Sequence, residues 1–297
     1  MQIAINSYSL RNEFDKGDPK IHDAMIKLCK DLDVSEVELL DRHVDIENIE
    51  KLEKKYRDNG INIFSLAPHV KLLTTEDKVD EMIEEGKKWL KLAKKINAKM
   101  IRVQLSDGPF PRAFPPFEDF SDEEWADYRE QMSKAADFTT KVATPLVEVA
   151  KELDVKIGIE THHSYSSNFI YQEELSKKYP SGYLGWIFDI GNYENDYMRW
   201  KALEVIKDKT MYIHAKAYKF DEEGFETKLD YPKACKILAN AGFDGNWSIE
   251  FEGKYNGILG VLQTNELIKY SLAKLEDEDY EMDTDLPSVE ELMEKYT

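Results

Sequence analysis

Eight short runs rich in β-branched and other apolar residues recur along this chain of 297 residues. They are QIAINSY (2–8), VSEVELL (34–40), INIFSLAP (61–68), KMIRVQL (99–105), VKIGIE (155–160), LGWIFDIG (184–191), TMYIHAK (210–216) and NWSIEFEG (246–253). Runs of this length and composition are typical of buried β-strands. Because a longer segment separates each run from the next, the pattern predicts a parallel sheet in which every strand is followed by a crossover connection.

The segments between these runs carry the period of amphipathic helices. In residues 76–96, for example, Val79, Met82, Ile83 and Leu90 fall on one face, and Lys and Glu side chains fall on the other. Similar patterns occupy residues 19–32, 45–59, 125–153, 171–179, 196–208, 230–241 and 258–275. Eight strand–helix units in a chain of this length predict an α/β fold, a (β/α)8 barrel, with a doubly wound open sheet as the alternative.

Two segments depart from this rhythm. Residues 106–120, directly after the fourth strand, contain four prolines and four phenylalanines and therefore predict a loop, either a lid over the barrel or a segment packed on its surface. We assign the barrel to residues 1–275 and an acidic tail to residues 276–297, in which Ser288 is expected to cap a short amphipathic helix. The tail is expected to dock on its own barrel or on a neighbouring subunit.

The formal net charge of the chain is −19. A field of this sign repels phosphate backbones and anionic lipids, so the sequence predicts neither nucleic-acid nor membrane-surface binding. No segment approaches the roughly 20 apolar residues of a membrane span, and the N-terminus lacks the pattern of a signal peptide. Cys29 and Cys235 are expected to be buried free thiols. We therefore expect a soluble, cytoplasmic protein.

Four polar side chains stand at the ends of four consecutive predicted strands. Glu160 ends the fifth strand, Asp189 the sixth and His214 the seventh, and Glu250 lies near the end of the eighth. Each is separated from the next by about one strand–helix unit. Because consecutive strands are neighbours in a parallel barrel, these groups are expected to converge on one part of its rim.

The convergence of these four groups predicts a divalent metal ion. Three buried carboxylates placed together would cost several kcal/mol in repulsion and lost hydration unless a cation compensated them. Three oxygen donors and one imidazole suit Mn²⁺, Mg²⁺ or Co²⁺ better than a structural zinc site, which prefers sulfur and nitrogen. We expect Glu160, Asp189, His214 and Glu250 to be the ligands and Mn²⁺ the ion, with two positions left for substrate oxygens.

The order of these four residues and the motifs around them resemble those of a known family. The order Glu–Asp–His–Glu on strands five to eight is similar to that of the xylose isomerase-like TIM barrels, the sugar phosphate isomerase/epimerase superfamily. The segments IGIETHH, FDIGN, IHAK and SIEFEG resemble the family motifs E-N-H, D-x-G-N, H-x-K and E-x-x-G, and NSYSLR resembles its first strand. The resemblance covers about residues 1–275 and leaves the acidic tail outside it.

The resemblance implies a metal-dependent isomerase or epimerase that acts on a small sugar or keto-sugar. In such enzymes a carboxylate removes the proton from the carbon next to a carbonyl, and the metal stabilises the enediolate that forms. Carried over from the ketose 3-epimerases of the family, Glu160 and Glu250 face each other across the substrate, one removing a proton and the other returning it. The chain departs from those epimerases in having Asn192 where they carry a histidine, and HAKAYKF shows no substrate-binding arginine.

These departures keep two alternatives open. The first is a lyase or dehydratase that uses the same metal and enolate but expels a leaving group, like the inosose dehydratases or the enzymes that cleave 3-keto-glycosides and C-glycosides. His163 or Lys216 would then supply the acid or base, so the catalytic candidates are Glu160, Glu250, His163 and Lys216. The second alternative is a non-catalytic barrel that serves as a partner subunit. A homo-oligomer is also expected to be possible.

Further polar residues are expected at the same rim. Lys216 follows His214 by two positions and so points to the same side of its strand, where it is a candidate to bind an oxyanion or donate a proton. The candidates for substrate binding are His69, Gln104 (with Arg102 on the same strand), His162 and Asn192.

Four other residues carry structural expectations. Glu38 alternates with apolar neighbours on the second strand and is expected to project into the barrel and support the site. Trp186 is expected in the core. His22 and His43 are expected at the surface or in loops.

Overall fold

The structure, a computed structural model, describes residues 1–106, 108, 110 and 120–297. Eight parallel strands close into a barrel in chain order, so that β1 pairs with both β2 and β8. The strands are β1 Gln2–Asn6, β2 Glu36–Leu40, β3 Asn62–Ala67, β4 Met100–Val103, β5 Lys156–Glu160, β6 Leu184–Asp189, β7 Thr210–Ala217 and β8 Asn246–Phe251. Each strand falls within one predicted run, except that β7 extends one residue beyond its run, and the (β/α)8 barrel is confirmed. The predicted lid at 106–120 lies almost wholly outside the described residues.

Helices follow the strands and form the outer layer. They are α1 Lys20–Asp31, α2 Ile49–Arg57, α3 Val79–Lys95, α4 Asp122–Leu153, α5 Phe169–Lys178, α6 Asp196–Ile206, α7 Tyr231–Asn240, α8 Gly257–Ala273 and α9 Val289–Tyr296. Each outer helix turns an apolar face to the sheet, as the periodicity predicts. Helix α4 begins at Asp122, where Ser121 and Glu124 form a capping box that satisfies the first free N–H groups. Within the described residues, no helix has the length and apolar character of a membrane span.

The lumen of the barrel changes character along its axis. Its lower part is filled by Ala4, Phe64, Met100, Ile187 and Tyr212, which pack together away from the main core between sheet and helices. Above this plug, toward the carboxyl ends of the strands, the buried side chains are polar. The plug therefore closes the barrel from below and confines polar chemistry to the upper rim.

Strand register sets which polar side chains are neighbours at that rim. His214 on β7 pairs with Asp189 on β6, and Lys216, two residues further along β7, pairs with Glu250 on β8. The β6–β7 register shifts between Trp186 and Ile187. Because side chains alternate between the two faces of a strand, His214 and Lys216 both point into the barrel.

Buried positions outside the lumen test several expectations. Trp186 is 2% exposed and donates its indole N–H to Ser176 Oγ, so its place in the core is confirmed, and Cys29 and Cys235 are buried free thiols. His22 and His43 are also buried: the expectation of a surface or loop position was wrong for His22, which lies in α1, whereas His43 does lie in the turn after β2.

The two histidines are buried because they satisfy polar groups where the turn after β2 packs on α1 and α2. His22 lies between the hydroxyl of Tyr56 and the carbonyl of His43, at 2.9 Å from each. The ring of His43 contacts the hydroxyl of Ser7 at 2.9 Å. Neutral imidazoles can fill such positions because they hydrogen-bond at both nitrogens.

The acidic tail ends in a helix that packs on the barrel. Ser288 caps α9 as predicted, and it forms a capping box with Glu291. Leu292 and Tyr296 are buried, and the Tyr296 hydroxyl donates to Asp31 of α1 at 2.6 Å. Since α9 contacts both α1 and α8, it covers the junction between the first and last strand–helix units. A domain boundary at residue 275 stays a prediction.

The close packing of β6 against the segment before β7 predicts the cost of one added methyl group. A Cβ at Gly185 would lie 2.6 Å from the backbone carbonyl oxygen of Lys209, whereas a Cβ at Gly182 would meet nothing within 4 Å. We expect Gly185→Ala to lower the free energy of unfolding by about 1–3 kcal/mol, because a backbone atom cannot move aside as a side chain can. Urea unfolding measures the effect, with Gly182→Ala as the matched control; equal stability of the two variants would contradict this packing.

Candidate metal centre

Four ligand-type side chains meet at the upper rim of the barrel. Glu160, Asp189, His214 and Glu250 are all buried, at 1%, 0%, 0% and 4% exposure. Each offers one donor atom, and the four atoms all lie within 4.8 Å of one another. Ligands on opposite sides of an ion bound at about 2.0–2.4 Å are about 4–4.8 Å apart, so the spacing fits one shared metal ion. Among the described residues no other group of His, Cys, Asp and Glu meets this test.

One imidazole nitrogen lies among the three carboxylates. His214 Nδ1 lies 3.1 Å from Glu160 Oε1, 3.3 Å from Glu250 Oε2 and 3.8 Å from Asp189 Oδ2. Burial alone would lower the pKa of His214, but the surrounding carboxylates, Glu38 and Glu250 foremost, raise it well above its usual value. The carboxylates therefore favour the positively charged form of the ring when no other cation is present.

Separate partners orient two of the carboxylates. Glu160 Oε2 lies 3.2 Å from Arg102 Nη1 and accepts the side-chain amide of Gln104 at 3.1 Å. The other oxygen, Oε1, is therefore turned toward His214. Burial would raise the pKa of Glu160, but Arg102 and His214 bring it below its usual value.

Asp189 is held by the turn that follows β6. Its carboxylate accepts the backbone N–H of Gly191 at 2.8 Å and the side-chain amide of Asn192 at 2.7 Å. These contacts hold the carboxylates in place before any ligand arrives.

Lys216 lies between the centre and the cavity above it. The side chain is 3% exposed, and its Nζ lies 3.2 Å from Asp189, 3.0 Å from Glu250 and 3.0 Å from Glu252. Burial would lower the pKa of Lys216, but the carboxylates of Asp189, Glu250 and Glu252 raise it well above the usual value. Lys216 is therefore a fixed ammonium group.

Buried negative charge exceeds buried positive charge at the centre. Four buried carboxylates, Glu38, Glu160, Asp189 and Glu250, face two permanent cations, Arg102 and Lys216. Burial accordingly raises the pKa of Asp189 to about 8, against the opposing effect of Lys216. A divalent cation would balance the two remaining charges while leaving His214 neutral, so the residues present fit the predicted metal ion.

A cavity of about 190 Å³ opens directly above the centre. Among the residues predicted to bind substrate, His69, Gln104 and His162 line it together with Arg102. Asn192 does not line it: the side chain is 2% exposed and its amide donates to Asp189. The predicted role of Asn192 in substrate binding has no direct support from this placement, and its contact is with a ligand carboxylate.

The two adjacent histidines after β5, His162 and His163, lie in an unusual turn with their rings in edge-to-face contact. His163 and Ser164 both have positive φ, +57° and +50°, which is uncommon for residues other than glycine. Ser166 closes the turn by accepting the His162 N–H at 2.6 Å and donating to the His163 carbonyl at 2.9 Å. His162 lines the cavity, whereas His163 is exposed and does not. Alternation along the sequence gives no means of predicting this turn.

Several cavity residues were not predicted from the sequence, and Glu252 and Tyr8 are two of them. Glu252 lines the cavity, where it accepts the Tyr8 hydroxyl at 3.0 Å and Lys216 at 3.0 Å. The sequence did contain an indication of this position: Glu252 lies two positions after Glu250, so along an extended strand both side chains point to the same side. Tyr8 comes from the turn after β1, where no periodicity indicates which side chain enters the cavity.

Comparisons with known proteins agree with this architecture. A family model described as xylose isomerase-like TIM barrel matches residues 26–277. A solved D-tagatose 3-epimerase-like protein is 16% identical, with a TM-score of 0.68 over 94% of this chain and 100% of that one. An L-ribulose 3-epimerase is 15% identical, with a TM-score of 0.67 over 97% and 100% of the two chains.

A third solved structure, an IOLI protein with a bound zinc atom, is 15% identical with a TM-score of 0.68 over 92% of this chain and 99% of that one. A comparison with curated protein sequences finds no match. At these identities the structural likenesses establish the shared fold.

The donor set predicts stoichiometric binding of one divalent ion. We expect metal-free protein to bind one Mn²⁺ per chain, and Asp189→Asn to weaken the affinity at least about tenfold, because one charged oxygen donor is lost. Titration followed by electron paramagnetic resonance of free Mn²⁺ measures both quantities. Asp208→Asn, at an exposed position before β7, is the control and should bind normally. Equal affinity in the Asp189 and Asp208 variants would exclude Asp189 as a ligand.

Proposed function

The chain belongs to the xylose isomerase-like TIM barrel family, and on this basis we propose that it is a divalent-metal-dependent isomerase or epimerase of a small sugar or keto-sugar. One observation carries the proposal: Glu160, Asp189, His214 and Glu250 form a single buried donor group at the floor of a cavity. Buried carboxylates of this number are costly to maintain without a catalytic or binding purpose. The structural neighbours include a protein named as an L-ribulose 3-epimerase, which supports the same reaction class.

The four donors would hold the ion, for which Mn²⁺ is our first choice and Mg²⁺ or Co²⁺ the alternatives. When bound, the ion supplies positive charge that stabilises negative charge developing on a substrate oxygen and so makes the neighbouring C–H group more acidic. The choice of a hard or borderline ion follows from three carboxylate oxygens in the donor set.

Glu160 and Glu250 are proposed to move the proton. They stand on β5 and β8, on two sides of β6 and β7, and both line the cavity. Substrate lying between them would expose one face to each carboxylate, so that one removes a proton from carbon and the other returns it. Arg102 and Gln104 fix Glu160, and Lys216 fixes Glu250, so neither carboxylate has to reorganise before the transfer.

Lys216 is proposed to act through its charge. Its ammonium group contacts Glu250 and faces the cavity, where it would stabilise an anionic substrate oxygen. Elimination by a lyase or dehydratase remains the alternative reaction, and it requires an acid for the leaving group. Lys216 lies in position for that role, whereas the exposed His163 lies outside the cavity lining.

The rest of the cavity is suited to hydroxyl groups. His69, His162, Tyr8 and Glu252 line it and carry hydrogen-bonding groups, and its volume of about 190 Å³ is on the scale of one small molecule. We therefore propose a single small carbohydrate as substrate. A cytoplasmic location, a homo-oligomer and the absence of nucleic-acid binding are further parts of this proposal.

Deuterium exchange in heavy water tests the proposed reaction. Purified protein loaded with Mn²⁺ is incubated with a panel of keto-sugars, and NMR follows both deuterium at the carbon next to the carbonyl and the appearance of an epimer or isomer. We expect Glu250→Gln to lose turnover by at least about a hundredfold while the barrel still folds, because the amide cannot accept the proton. Circular dichroism checks the fold.

Glu204→Gln, on the exposed side of α6, is the control and should keep full activity. Release of a leaving group without epimer formation would assign the chain to the lyases instead. Near-normal turnover in Glu250→Gln would contradict the role given to that residue.

A further inference from the structure

Glu38 lies directly beneath the donor group and makes an unusual number of contacts. It is 0% exposed and comes from β2, on the far side of the barrel from the ligand strands. Its Oε1 accepts the Tyr212 hydroxyl at 2.7 Å. Its Oε2 accepts the Asn6 amide at 3.1 Å, the Ser248 hydroxyl at 3.1 Å and the His214 Nε2 at 2.9 Å. Donors on β1, β7 and β8 therefore fix one carboxylate in a single orientation.

The contact between Glu38 and His214 decides which ring nitrogen can bind a metal. A carboxylate only accepts hydrogen bonds, so His214 Nε2 must carry a hydrogen to contact Glu38 at 2.9 Å. The other nitrogen, Nδ1, is the atom that lies among Glu160, Asp189 and Glu250. With Nε2 protonated, the neutral ring presents its lone pair at Nδ1, toward the three carboxylates.

We propose that Glu38 is the positioning residue that makes His214 a ligand through Nδ1. By strengthening this imidazole donor, Glu38 also sets the preference of the centre for borderline metals over Mg²⁺. The inference rests on the proposed metal centre and adds to it a residue that does not touch the ion. An imidazole that donates its N–H to a carboxylate becomes a stronger base toward metal. Co²⁺ and Zn²⁺ gain more from such a nitrogen donor than Mg²⁺ does, since Mg²⁺ favours oxygen ligands.

The test compares two variants that disturb the hydrogen-bond network of Glu38 in different ways. Glu38→Gln keeps the shape of the side chain but removes the charge that faces His214. Tyr212→Phe, the matched control, removes one hydrogen bond to the opposite oxygen of Glu38 and leaves the His214 contact in place. The affinities of metal-free proteins for Co²⁺ and for Mg²⁺ are measured by calorimetry, and thermal unfolding of the metal-free proteins reports stability.

We expect Glu38→Gln to bind Co²⁺ about 10–100-fold more weakly, with a smaller loss for Mg²⁺, so that the ratio of the two affinities falls. Tyr212→Phe should lower the unfolding temperature but keep the ratio. An unchanged ratio in Glu38→Gln, or the same change in both variants, would overturn the inference. Failure of the unmodified protein to bind either ion would instead overturn the proposed metal centre.

A second measurement needs no variant and keeps the inference testable if Glu38→Gln does not fold. In the Co²⁺-loaded protein, NMR in ordinary water should show a strongly shifted imidazole N–H resonance that disappears in heavy water. It should exchange slowly, because Glu38 accepts that hydrogen in a fully buried position. Absence of such a resonance would show that His214 does not bind through Nδ1 with Nε2 held by Glu38.

Discussion

Uncompensated negative charge inside the rim is the constraint around which the upper half of the barrel is organised. Glu38, Glu160, Asp189 and Glu250 are all buried, and Arg102 and Lys216 neutralise only part of their charge. Removing a carboxylate from water costs several kcal/mol even after relaxation, so each of these side chains must be held by donors or cations. Among the described residues, hydrogen-bond donors and the cations Arg102 and Lys216 hold these carboxylates. When the four carboxylates are ionised and His214 is neutral, two negative charges remain, which is the charge that one divalent ion would balance.

The barrel meets this constraint by dividing its lumen. Apolar side chains below, with Phe64 and Tyr212 in edge-to-face contact, keep water from reaching the centre from that side. Tyr212 links the two halves, since its ring packs in the plug and its hydroxyl donates to Glu38. The side chain of Tyr212 therefore connects the apolar lower part of the lumen to the polar centre above it. The strands supply all four donor residues of the centre, and the turn after β6 adds the two hydrogen bonds that Gly191 and Asn192 donate to Asp189.

Much of this was predictable from sequence because the relevant information is periodic. Strand-sized apolar runs and helical periods recur at a regular spacing, and a polar residue at the end of a strand stands out against its neighbours, as Glu160 and Asp189 do. Even Glu38 could be predicted, since it alternates with Val37 and Leu39 and so had to face the lumen. What could not be predicted depends on turns. The positive φ values at His163 and Ser164, the entry of Tyr8 into the cavity and the burial of His43 follow from local backbone geometry, which has no periodic signal.

The pairing of β1 with β8 has a consequence for how the chain acquires its fold. Ile3 lies opposite Trp247 and Ala4 opposite Ser248, so β1 gains its second neighbour only after β8 has been synthesised. The nascent chain therefore carries an open sheet edge until β8 emerges from the ribosome. Contacts between such distant parts of the sequence slow folding, and α9 can pack on the same junction only after residues 289–296 have followed. Closure of the barrel is therefore a late step in folding. Before that step, the open edge of the sheet can pair with another chain, so the risk of aggregation is highest then.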